Sequence, residues 1–105
     1  MKKAVLFRVK KERVDEWKLW CSTIATTLYT EAQKSLEEEK VFQELTLLFE
    51  LKGEFYGVGY MDRDGLPANM NREINQKHKE MKKICIEYVT DAQVLYEVNL
   101  FQKKP

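Results

Sequence analysis

The sequence predicts an α+β domain of βαββαβ order, a four-stranded antiparallel sheet carrying two helices on one face. Three observations predict it. Short runs rich in Val, Leu and Phe occur at 4–10, 41–51, 55–61 and 92–101, the composition of strands. Two longer stretches, 12–39 and 69–88, repeat apolar residues at spacings of three and four, the period of one helix face. Lys52-Gly53 separates the second and third apolar runs, and Gly supplies the positive φ of a tight hairpin. At 105 residues, the length suits one domain spanning 1–105.

Each element has its own signal. Ala4 to Lys10 reads as the first strand, and 10–13 as a polar connection. From Glu12 to Glu39 the stripe Val14, Trp17, Cys21, Ile24, Leu28 and Leu36 marks one long helix, widened by Trp20, Ala25, Tyr29 and Ala32. No Gly or Pro interrupts it, so no residue forces a break. Glu37-Glu38-Glu39 places acids at its C-terminus, against the macrodipole, which favours fraying. Val41 to Leu51 and Phe55 to Met61 form the hairpin. Asp62 to Asn69 is dense in turn residues. The second helix, from Asn69 or Met70 to Tyr88, carries the stripe Met70, Ile74, His78, Met81, Cys85 and Tyr88. Ala92 to Phe101 reads as the last strand.

This order is the split-βαβ, ferredoxin-like arrangement. A sheet with one wet face alternates apolar and polar residues, and these strands do so poorly. Val41, Leu45, Leu47 and Phe49 fall on one side of the second strand, with Phe42 and Leu48 on the other. Helices cover one face only. The other exceeds the few hundred Å2 of apolar patch that a soluble monomer tolerates. A second copy of the chain, sheet against sheet, covers it most economically. The expected partner is therefore the chain itself, as a homodimer.

Composition excludes several classes. Eighteen Lys+Arg stand against 17 Asp+Glu, a net charge of +1, with 44% apolar residues. Cancelled charge gives no field to draw in nucleic acid or an anionic membrane. The start has no apolar stretch of signal-peptide length, and no run approaches a membrane span, so the expected location is the cytoplasm. One His and two distant cysteines, Cys21 and Cys85, supply no zinc set; no metal and no cofactor are expected. Both cysteines read as small buried apolar residues, with a reactive thiol as the alternative. The basic residues around Lys77 to Lys83 are interleaved with Glu and read as a solvated helix face. No phosphate loop, GxSxG or calcium loop is present.

Few residues are left to carry chemistry. His78 points inward with its helix stripe. It is either a hydrogen-bonded core histidine or a general acid–base in a helix–sheet pocket, since imidazole titrates near neutral pH. Arg8, Glu44 and Glu97 are charges inside apolar strands, which must pair, sit at an edge or line a cavity. Tyr60 and Tyr96 either pack or hydrogen-bond a ligand. Trp17, with Trp20 and Tyr29, is either core or a stacking wall for a planar molecule. Gly57 and Gly59 share one face of the third strand and leave open space there, the first place to look for a cavity. In the catalytic reading His78 moves the proton, and Arg8, Tyr60, Tyr96, Glu97 and Trp17 contact a small apolar or planar ligand. The alternative is a non-catalytic binding or interaction module.

Three stretches carry a family resemblance: FRVKKERVDEW at the start, INQKHKEMKK around His78, and VLYEVNLF near the end. With them the chain resembles the dimeric α/β-barrel superfamily, and most closely an uncharacterised family of small proteins within it. The resemblance implies ferredoxin-like chains paired through their sheets. The superfamily includes cofactor-free monooxygenases, haem-degrading enzymes, sugar mutarotases and members without known activity, so fold does not choose the function. The mutarotases have a catalytic His on the first helix, where this chain has Glu16 to Cys21 without His. The haem-degrading branch has a His on the second helix, which His78 matches. It also has an Asn on the first strand and a Trp near the third. The matching positions here offer Phe7 with Arg8, and Tyr60 with Met61.

Overall fold

A computed structural model describes residues 3–100. Strand β1 (Lys3–Val9) leads through a single 3-10 turn into α1 (Val14–Ala25) and α2 (Tyr29–Glu39). Strands β2 (Glu44–Leu51) and β3 (Glu54–Met61) form the hairpin, followed by α3 (Glu73–Cys85) and β4 (Ile86–Ala92). The sheet order is β2-β3-β1-β4, antiparallel throughout. This α+β architecture with three helices is compatible with a ferredoxin-like fold.

The hairpin turns where the sequence places it. Leu51 pairs with Glu54, and both residues between them have positive φ, Lys52 at 53° and Gly53 at 80°. Two successive positive φ values mark the turn whose twist matches that of the flanking strands.

The single long helix of the sequence reading is two helices, and the reason lies in Ser22 to Thr27. Thr23 and Thr26 donate their hydroxyls to the carbonyls of Leu19 (2.9 Å) and Ser22 (2.7 Å). Such back-bonding competes with the helical ladder, and β-branched residues are weak helix formers. The chain leaves helical geometry at Thr26, and the Leu28 N–H reaches back to Thr23 O at 2.9 Å. No Gly or Pro was needed. The break turns Tyr29 outward, leaving it 54% exposed.

The C-terminus of α2 is closed rather than frayed. The Lys40 N–H donates to Glu37 O (3.2 Å) and the Val41 N–H to Leu36 O (3.0 Å), the two bonds of a Schellman cap. Leu66 N–H adds a bond to Glu39 O at 2.7 Å. The cap holds Lys40 at φ 62°, ψ 35°, a left-handed conformation that a side chain disfavours. Lys40→Gly is therefore expected to stabilise the fold by about 0.5–1 kcal/mol, read as a raised urea midpoint; an unchanged or lower midpoint contradicts it.

The second helix and last strand also differ from the sequence reading. Helix α3 starts at Glu73 rather than Asn69 or Met70, because Asn69 makes a local turn, accepting from the Asn71 N–H at 3.0 Å through Oδ1. It stops at Cys85, and Ile86 enters β4 directly. The strand is Ile86–Ala92, not 92–101. Tyr88 continues the helical stripe of Met81 and Cys85, which disguised the change. The β-branched and aromatic run Ile86 to Thr90 suits a strand, and it pairs with β1 from Val9↔Ile86 to Ala4↔Ala92, with a shift between Leu6 and Phe7. Residues 93–99 form no regular element, and Phe101 lies outside the described residues.

The core lies between the helices and one sheet face. Phe7, Val9, Val14, Trp17, Trp20, Met81 and Cys85 form it, flanked by Leu48, Phe55, Ile74 and Ile86. Phe7 meets the Trp17 ring edge-on at 5.9 Å. Helix α2 is tied to α3 by polar contacts. The buried Ser35 hydroxyl accepts from Asn75 Nδ2 at 2.8 Å and donates to Glu39 at 2.6 Å. Arg72 pairs with Glu38 (2.6 Å) and Glu31 (3.3 Å).

Candidate functional site

Two places hold the residues singled out in the sequence, on opposite sides of the sheet. The first surrounds His78. Helix α1 sets Trp17 and Trp20 three residues apart, so both face α3. Trp20 Nε1–H donates to His78 Nδ1 at 2.8 Å. The Trp17 ring stacks on the imidazole with centroids 6.2 Å apart and planes at 26°. Both tryptophans are buried, at 3% and 5% exposure.

That geometry fixes the chemistry of His78. An indole N–H only donates, so Nδ1 accepts and the neutral ring carries its proton on Nε2. The single lone pair of a neutral imidazole is thereby used, leaving none to take a proton from a substrate. Burial, and then the nearby Lys82 cation, push the imidazole down to about 4, so the ring is neutral at pH 7.

The glycines of β3 do not open a cavity. A Cβ on Gly57 would lie 2.3 Å from the Phe7 ring and 2.8 Å from Leu47 O. Phe7 occupies the space the sequence left vacant. Two surface depressions lie elsewhere. One, about 370 Å3, is bordered by Arg8, Lys10, Glu54 and Glu87; the other, about 500 Å3, by Leu36, Val41, Phe42 and Arg63. Neither includes His78.

The cysteines sit beside the same core. Burial, then the neighbouring Cys85, pushes Cys21 up to about 11. Burial, then Glu16, also raises Cys85, which has 0% exposure. Both thiols are free and protonated at neutral pH, and thiols are poor nucleophiles. Among the described residues no group of His, Cys, Asp and Glu is arranged to hold a metal ion. No helix among them is long and apolar enough to cross a membrane.

The second place is the outer sheet face. Register assigns it Ala4, Leu6 and Arg8 from β1, Tyr56, Val58 and Tyr60 from β3, and Leu45, Leu47, Phe49 and Leu51 from β2. The four β2 side chains are 43–55% exposed. Phe49 and Tyr56 are directly opposed, their rings stacked at 5.7 Å and 24°. Arg8 pairs with Glu87 across β1 and β4 at 3.2 Å, a cross-strand ion pair. The Tyr60 hydroxyl donates to Glu97. That bond, then burial, pushes the phenol up to about 12.

The structure thus brings His78 together with Trp17, and Tyr60 together with Glu97 on the far side; Arg8 shares that face but lies at its other end, opposite Tyr56 and paired with Glu87. Tyr96 belongs to neither group and is 84% exposed. Glu44, whose carboxyl is raised by burial and then by Glu39, faces the helix side at the start of β2. Sequence reasoning missed Trp20 as the partner of His78. The two lie 58 positions apart, and no local signal joins them.

Residues 3–105 match the model of a family of unknown function, DUF6176. The chain belongs to that family. Comparisons with curated proteins and with solved structures find no match. Membership fits an uncharacterised family of small proteins, and the functional reading rests on the geometry.

Proposed function

We propose that the chain is a non-catalytic interaction module that works as a homodimer, joined sheet to sheet through its outer face as in a dimeric α/β barrel. One observation carries the reading: Leu45, Leu47, Phe49 and Leu51 form a continuous apolar row, each about half exposed, continued inward by Val58 and Leu6. Burying apolar area yields about 25 cal/mol per Å2, and a flat, self-complementary face suits two-fold pairing. The helix side supports the non-catalytic part. Its only histidine spends its lone pair on Trp20 and lines neither depression.

Light scattering at 1–100 μM tests it. The wild-type chain is expected at twice the chain mass. The double variant Leu47→Lys, Phe49→Lys is expected at the single mass with an unchanged circular-dichroism spectrum, because two charges on each face oppose pairing and the helix-side core is untouched. A wild-type monomer across this range overturns the proposal.

A further inference from the structure

Beyond β4 the chain keeps its apolar content but not its cover. Leu95, Tyr96, Val98 and Leu100 are 83–95% exposed, far more than the sheet-face leucines. The segment VLYEVNL alternates and is β-prone, yet it forms no ladder within its own chain. Its course is known at two points. It leaves the sheet at Ala92, opposite Ala4, and Glu97 is bonded to Tyr60, which lies across β1 on β3. Tyr60 is an outer-face residue, so 93–97 crosses one end of the exposed face. Its large side chains are left to solvent.

We infer that residues 93–100 are an arm that docks on the second copy of this chain, with the Tyr60–Glu97 hydrogen bond as its anchor. The inference rests on the dimer reading and adds the segment that completes it. Stable interfaces use about 20–30 residues from each partner. The outer face presents about fourteen positions on its four strands, below that range. The eight arm residues bring the total into that range. Each copy has a surplus apolar arm and an under-covered apolar face, and a two-fold axis gives each copy the arm of the other. Packed sheets lie about 10 Å apart, within reach of side chains standing off an arm at the rim.

The test puts p-benzoylphenylalanine in place of Val98 in the full chain, irradiates it, and maps the product by mass spectrometry, with light scattering on the same sample. A dimer whose cross-link joins position 98 to residues 44–61 of a second molecule is expected. The triple variant Leu95→Ser, Val98→Ser, Leu100→Ser is expected to raise the dimer Kd at least tenfold. A dimer without an interchain cross-link, or with an unchanged Kd in the triple variant, overturns the arm and leaves the sheet-face dimer standing. A monomer overturns both.

Discussion

Gly57→Ala is expected to be a severely destabilising single-methyl change. The new Cβ would meet the Phe7 ring at 2.3 Å and the Leu47 carbonyl at 2.8 Å. A flexible side-chain tip yields cheaply, but Phe7 is buried against Trp17 and the carbonyl belongs to the β2–β3 ladder. Overpacking a tight core costs about 1–3 kcal/mol; with a backbone atom in the way the upper value applies. A loss of about 3 kcal/mol lowers Tm by roughly 12–20 °C in a domain of this size. Gly59 supplies the control. It shares the face, but its Cβ would stand 3.8 Å from the same ring, an ordinary contact, so Gly59→Ala is expected within about 1 kcal/mol of wild type. The cause is separable by a double-mutant cycle. Phe7→Leu removes the ring atoms that clash, so the Gly57→Ala, Phe7→Leu pair is expected to lose at least about 1 kcal/mol less than the sum of the singles. Additive losses in urea melts would place the strain elsewhere.

The second large effect is a loss of stability on mild acidification through His78. The imidazole sits near 4 when folded, against an ordinary value of 6.5, so the unfolded chain binds the proton more readily. Stability from this group is complete above pH 6.5 and falls as pH drops from 6.5 toward 4. At about 1.4 kcal/mol per pH unit across that window, the loss reaches about 3 kcal/mol. Protonation also ends the hydrogen bond from Trp20, since Nδ1 then carries a proton of its own. His78→Gln keeps an acceptor for the indole and cannot titrate. Urea melts at pH 7, 6, 5 and 4.5 are expected to show a steep decline in wild type and a shallower one in the variant. Equal slopes would mean the ring does not govern the decline.

How much of this was legible in the sequence depends on whether a signal was local. The hairpin was legible because Lys52-Gly53 encodes its own turn. The apolar outer row on β2 was legible because a period of two survives any placement of the strand. The boundary at Cys85 was not. Ile86 to Tyr88 fits a continuing helix as well as a new strand, and pairing with β1 decides between them. The break at Thr26 was readable in principle, since clustered Ser and Thr hydroxyls compete with the helix backbone. At the candidate site, the inward direction of His78 followed from helical spacing. Its indole partner lies 58 positions away, and no local pattern joins the two.

The position of β1 has a consequence for synthesis. It precedes both of its partners in the chain and is also an inner strand, hydrogen-bonded on both sides. Its ladder partners are Phe55–Met61 on one side and Ile86–Ala92 on the other. While the chain emerges from the ribosome, Val5, Phe7 and Val9 therefore wait without a sheet until Phe55–Met61 has been made. Their second edge stays open until Ile86–Ala92 follows. The β2–β3 hairpin, closed by a two-residue loop, forms as soon as it is clear of the exit. Non-local pairing is slow because loop-closure entropy precedes any contact, and an unpaired strand edge invites misassembly. A chain still being made thus passes through a stage in which a finished hairpin faces a β1 with one edge unpaired.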